Sequence, residues 1–90
     1  MKAKKEDHLI VGVHITDRVK HAPDVQKVLT EYGEYIKTRL GMNDMASGRT
    51  GPAGLILLQM VGEEERVDAM MRKLKRIRGV DAKKIIFKHR

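Results

Sequence analysis

The 90-residue chain has no cysteine, no tryptophan, two prolines, one serine and only three aromatic residues, Tyr32, Tyr35 and Phe87. Each shortage removes a class of function. Without cysteine there is no disulfide, no iron–sulfur ligation and no thiol nucleophile, and no oxidising compartment is required. The lone serine, Ser47, falls in a glycine-rich stretch with no base predicted beside it. No catalytic residue stands out, so the chain reads as a non-enzyme without a cofactor. The scarcity of aromatics argues against the sheet-based RNA readers, which stack bases on aromatics of their central strands. No apolar run approaches the ~20 residues that a membrane-spanning helix needs. Met1–Asp7 lacks the apolar segment of a signal peptide, so a soluble cytoplasmic protein is expected.

What is present is charge and a compact set of apolar runs. The formal net charge is +7, hydrophobic residues make up 41% and charged residues of both signs 34%. The positive excess suits acidic partners, although a mixed-sign surface is largely solvated. Residues 1–7 read as a disordered basic tail and residues 8–90 as a single domain. A domain this small buries only roughly 60–65% of its unfolded surface, so association would stabilise it.

The most apolar stretch runs from Gly54 to Val61, with Gln59 as its only polar member. Its length and flanking glycines predict a strand, and its composition predicts burial on both faces. Ile56, Leu58 and Met60 then face one layer and Leu55, Leu57 and Gln59 the other. His8–Thr16 is a second such strand. Leu9, Val11, Val13 and Ile15 share the face toward the helices, and Ile10, Gly12 and His14 the opposite, half-polar face. Asp17–Ala22 reads as a connection. Pro23 fits a first helical position, Val25, Val28, Leu29 and Tyr32 form an apolar stripe, and Gly33 is a stop, giving a helix over about 23–32.

Tyr35–Met42 is predicted as a strand with Ile36, Leu40 and Met42 on one face and Lys37 and Arg39 on the other, as at a sheet edge. Asn43–Ala53 is long for a hairpin connection and is either mobile or a binding loop. Glu63–Glu65 open a second helix, the basic residues from Arg72 to Arg78 close it, and Gly79 stops it, the order that the helix dipole favours. Val67, Met70, Met71, Leu74 and Ile77 are its buried stripe. Val80–Lys88 is the last strand, its Lys83 and Lys84 again marking an edge.

The order strand–helix–strand–strand–helix–strand, with the two most apolar strands central, defines an α+β ferredoxin-like βαββαβ sandwich. It has a four-stranded antiparallel sheet with two helices on one face. The helix-free face then carries Ile10, Gly12 and His14 beside Leu55, Leu57 and Gln59. A patch that apolar is rarely left in water. A homo-oligomer is expected, with Ile10, His14, Leu55, Leu57 and Gln59 in its interface.

Sites of other kinds have little support. His8 and His14 share a strand face but stand ~20 Å apart along it, so they cannot hold one ion within a chain. No ligand set at a diagnostic spacing appears, and no metal site is assigned. The Gly48-Arg49-Thr50-Gly51 stretch lacks the lysine and following helix of a phosphate loop. Arg49 could still hold an anion, and Asp17 with Arg18 is either a binding pair or a polar turn. The basic run Arg72–Arg78 gives the alternative reading, a nucleic-acid or acidic-partner module using the second helix. Specific DNA reading would need another protein, since no helix-turn-helix precedes the domain.

Several segments together resemble a known family. They are Asp17-Arg18, Leu29-Thr-Glu-Tyr-Gly33, Ile36-Lys-Thr-Arg-Leu-Gly-Met42, Gly54-Leu-Ile-Leu-Leu58 and Leu74-Lys-Arg-Ile-Arg-Gly-Val80. The chain is similar over about residues 8–88 to the iron-only hydrogenase system regulators. These are stand-alone ACT-like domains akin in fold to the C-terminal domain of the nickel-responsive regulator. The resemblance implies a dimer or tetramer with a regulatory role exerted through a small ligand or a protein partner. Two departures matter. The turn Lys20-His-Ala-Pro23 lacks the glycine usual in amino-acid-binding ACT domains, and the absence of cysteine leaves the nickel site of the distant relatives without a counterpart. A small ligand is expected at a subunit interface near Asp17, Arg18, Arg39 and Arg49.

Overall fold

The computed structural model describes residues 8–16, 18–43 and 54–88. The basic tail, Asp17, the 44–53 segment with Ser47 and Arg49, and His89 and Arg90 lie outside the described residues. The elements are β1 (His8–Ile15), α1 (Arg18–Glu31), β2 (Ile36–Asn43), β3 (Gly54–Met60), α2 (Glu64–Lys75) and β4 (Val80–Phe87). The sheet order is β2-β3-β1-β4 and every neighbouring pair is antiparallel. This is the expected ferredoxin-like fold, with the most apolar strands at the centre.

Alternation along the strands builds the core. Leu9, Val11, Val13 and Ile15 of β1 are almost fully buried, as are Leu58 and Met60 of β3. Val80 and Ala82 of β4 join them. The helices close over this face with Val25, Leu29 and Tyr32 from one side and Val67, Met70, Met71 and Leu74 from the other. Among the described residues no polar or charged side chain is buried in this core.

Three local expectations are corrected. The first helix starts at Arg18 rather than at Pro23, which lies inside it. Proline in a second turn removes one main-chain hydrogen bond and strains the turn before it. The buried Val25 and Leu29 on the same helix offset that cost. Gly33 does not end the helix in a left-handed conformation, since among the described residues the glycines with positive φ are Gly62 and Gly79. The chain instead tightens into a 3-10 turn over Gly33–Tyr35, where the Tyr35 N–H donates to the Tyr32 carbonyl at 2.9 Å. Finally, the register between β2 and β3 shifts between Ile36 and Thr38. Such a bulge opposes two residues to one and reverses the facing of everything beyond it. Ile36 pairs with the buried Met60 and Arg39 with the buried Leu58, whereas Leu40 pairs with Leu57 on the open face. Ile36 and Leu40 therefore lie on opposite faces.

Lys84 also departs from the picture of a solvated edge. Its ammonium reaches back to α2, 2.6 Å from Glu64 and 2.5 Å from Asp68. Burial lowers its pKa, and the hydrogen bonds it donates to Asp68 and Glu64 outweigh that effect, leaving it above the ordinary lysine value. A second clasp joins the helices: the Lys73 ammonium meets Glu31 and lies 5.4 Å from the centre of the Tyr32 ring. The Glu31 hydrogen bond leads in raising its pKa.

Candidate functional site

The helices leave one face of the sheet uncovered, and register maps it row by row. Ile10 stands between Gln59 and Ile85, Gly12 between Leu57 and Lys83, and His14 between Leu55 and Asp81. The strand beyond adds Thr38 beside Gln59 and Leu40 beside Leu57, with Met42 in register with Leu55. Phe87 pairs with His8 at the far end. Ile10, His14, Leu55, Leu57 and Gln59 thus share the open face.

This face is apolar where a monomer would be polar. Leu40 and Ile85 are each 55% exposed and Phe87 is 57% exposed, while Leu55 and Leu57 are half-buried. Its polar members include Thr38, Gln59, His14, Asp81 and Lys83. The Thr38 hydroxyl lies 3.3 Å from Oε1 of Gln59. At the other side, Gly12, His14, Leu55, Asp81, Ala82 and Lys83 line a shallow hollow of about 340 Å³. Gly12 makes the floor. A methyl group there would meet nothing nearer than Leu57 Cδ2 at 3.8 Å, so the missing side chain is what leaves the space.

The charges around the hollow are not mutually satisfied. The Asp81 carboxylate accepts the Ala82 N–H at 2.8 Å. No ion pair joins it to Lys83 two residues on, and among the described residues neither Lys83 nor His14 has a hydrogen-bond or ion-pair partner. Asp81 and Lys83 carry no sequence signal of their own. They look like edge-strand charges until β4 is laid beside β1, which sets them against His14 and Gly12.

Of the residues expected to bind a ligand, Arg18 and Arg39 fall within the described residues. Arg18 is the first residue of α1, and Asp17 and Arg49 lie outside the described residues. Arg39 stands behind the sheet, on the side of the helices, and donates to Gln26 Oε1 of α1 at 2.6 Å. The bulge in β2 puts it there. Among the described residues no group of three or more His, Asp or Glu side chains is arranged to hold a metal ion. No helix of the described residues is long and apolar enough to cross a membrane. On α2, Arg72 and Lys75, with Arg76 and Arg78 just beyond, form an exposed basic strip. The two central strands carry no aromatic residue on which a base could stack.

An ACT-like scaffold with a bare, apolar sheet face is the class that this geometry defines. Residues 8–84 match the model of the TM1266-like family, described as "Iron-only hydrogenase system regulator, putative", and the chain belongs to that family. Among solved structures, the protein TM1266 of Thermotoga maritima is 25% identical, with a TM-score of 0.79 over 92% of this chain and 100% of that one. The ACT domain of the GTP pyrophosphokinase of Chlorobium tepidum shares the fold at 14% identity, with a TM-score of 0.65 over 94% of this chain and 100% of that domain. CPII of Thiomonas intermedia K12, in a structure bound to ADP, AMP and acetate, shares it at 14% identity. Its TM-score is 0.56 over 92% of this chain and 90% of CPII. No curated protein matches the chain.

Proposed function

We propose that the protein is a regulatory subunit without enzymatic activity, serving the iron-only hydrogenase system of its family's description. It works as a homo-oligomer paired through the open sheet face and responds to a small ligand or protein partner at the subunit boundary. The observation that carries this reading is the face itself. Leu40, Ile85 and Phe87 are more than half exposed on a sheet whose other side is a complete core. Contiguous apolar surface of this kind marks an interaction site. Regulators with the same fold lend support, since CPII is a nitrogen regulatory PII-like protein seen with ADP, AMP and bicarbonate.

The ligand belongs at the end of the sheet formed by Ile15, Asn43, Gly54 and Val80, to which Asp17, Arg18 and Arg49 lie near in sequence. Arg39, held by Gln26, is outside this site. A thermal-shift screen of amino acids, nucleotides and divalent metals tests it. A stabilising compound whose effect Arg18→Ala removes and Arg39→Ala preserves is expected. If no compound raises the melting temperature, the sensing role fails. The exposed strip Arg72, Lys75, Arg76 and Arg78 favours a second reading, an acidic partner. Retention of RNA or DNA in a gel shift at physiological salt would support it over the first.

A further inference from the structure

The hollow over Gly12 and the charges on its rim acquire a meaning once two open faces pair, so any register assigned to them rests on the proposed pairing. In a twofold interface the same patch meets itself, so residue i faces residue j of the second copy and residue j faces i. A charge lying on the axis therefore faces its own copy. An axis crossing the strands at the row of Lys83, Gly12, Leu57 and Leu40 would set Lys83 against Lys83. An axis at the row of Asp81, His14 and Leu55 would set Asp81 against Asp81. Moved one row further, to Ile85 and Ile10, it would face Lys83 with Phe87 and leave the ammonium without an anion. An axis along the strands at β1 or beyond it toward β2 would lay β4 over the apolar β3 or β2, and one between β1 and β4 would leave β3 and β2 uncovered. Burying an ammonium without an anion is strongly unfavourable.

The register between the first two avoids these conflicts. We propose that the twofold axis crosses β4 and β1 at Ala82 and Val13, midway between Asp81 and Lys83. Lys83 of each copy then faces Asp81 of the other. The same operation lays His14 of each copy over Gly12 of the other, and Leu55 over Leu57. The hollow supplies the space for the imidazole, a knob that is exposed and partnerless in the isolated chain. Facing sheets lie ~10 Å apart, a gap that side chains fill only by interdigitating, so a cavity on one face needs a protrusion from the other. The Ala82 N–H holds one oxygen of the Asp81 carboxylate at 2.8 Å and leaves the second for Lys83 of the second copy. The partner is thus a second copy of this chain, and its orientation is fixed by two reciprocal ion pairs around two reciprocal knobs.

Charge reversal tests the register. Asp81 and Lys83 are exposed, so their variants should fold, which circular dichroism and the melting temperature check. Sedimentation equilibrium is run on the wild type, Lys83→Asp, Asp81→Lys and the double variant carrying both. Each single reversal sets like charges against each other and is expected to weaken self-association about tenfold or more. The double variant should recover to within about threefold of the wild type, and an equimolar mixture of the two single variants should form a heterodimer. A wild type that pairs while both single reversals pair equally well overturns the register and leaves the pairing standing. A wild type that stays monomeric throughout overturns the pairing itself, and the register with it.

Discussion

Replacing Gly12 with valine should move stability and association in opposite directions. In the isolated chain the substitution is favourable. Gly12 does not sit at positive φ, and the new Cβ makes an ordinary contact with Leu57 Cδ2 at 3.8 Å. Glycine inside a strand costs roughly 0.5–1 kcal/mol relative to alanine, and a β-branched residue suits a strand better still. Each further buried methylene adds at most ~0.8 kcal/mol, of which the half-open hollow yields a part. The sum is about 1–2 kcal/mol of added stability for the monomer. Urea unfolding should be followed at a concentration where the wild type is dissociated, so that association does not contribute. With m of ~1–3 kcal/mol per molar, the midpoint should rise by roughly 0.5–1 M at unchanged m. In the dimer the same side chain occupies the space that His14 of the second copy needs, and self-association should fall about tenfold or more. A variant that is more stable and pairs as well as the wild type would refute the role given to the hollow. A variant less stable than the wild type would refute the description of what surrounds Gly12.

Lys84→Met leaves Glu64 and Asp68 without their shared cation. With the Lys84 side chain 26% exposed and Asp68 at 38%, solvent screening moderates the loss to about 1–2 kcal/mol, measurable by urea unfolding at pH 7. The Lys84 pKa is higher in the folded than in the unfolded chain, so its contribution is complete below the ordinary lysine value and disappears as pH rises through the folded value. The wild type should therefore lose more stability than Lys84→Met as pH climbs above about 10.5, and parallel curves would contradict the ion-pair account. Gly79→Ala forces a side chain onto φ +82° and brings its methyl within 3.2 Å of the His21 ring. About 1–2 kcal/mol of destabilisation is expected from chemical denaturation, and an unchanged midpoint would show that the turn relaxes freely.

Much of this molecule can be read from its residues. The run Gly54–Val61 and the alternation in His8–Thr16 are enough to place two central strands, and antiparallel pairing of their apolar faces gives Gly12 opposite Leu57. The lysines of the outer strands indicate the edges. Other features depend on tertiary context. Pro23 is the natural mark of a helix start, yet the helix begins five residues further back, at Arg18. Nothing local marks the bulge near Lys37, and a single extra residue sends Ile36 inward and Leu40 outward. The same shift separates Arg39 from the open face, which composition alone does not reveal. Asp81 and Lys83 become informative only once the β1–β4 register sets them around Gly12, a step that needs pairing between residues far apart in sequence. Lys84, an edge lysine by pattern, turns inward because Glu64 and Asp68 stand on the helix above it.

The most direct test of the open face is sedimentation velocity of the wild type beside Leu57→Lys, from low micromolar to several hundred micromolar. Leu57 lies at the middle of the bare face and outside the core, so its variant should stay folded. Expected is a wild type that moves from monomer toward dimer or tetramer with concentration, and a folded variant that remains monomeric. A wild type that sediments as a monomer over the whole range would show that this face is content in water, contrary to everything built on its being covered.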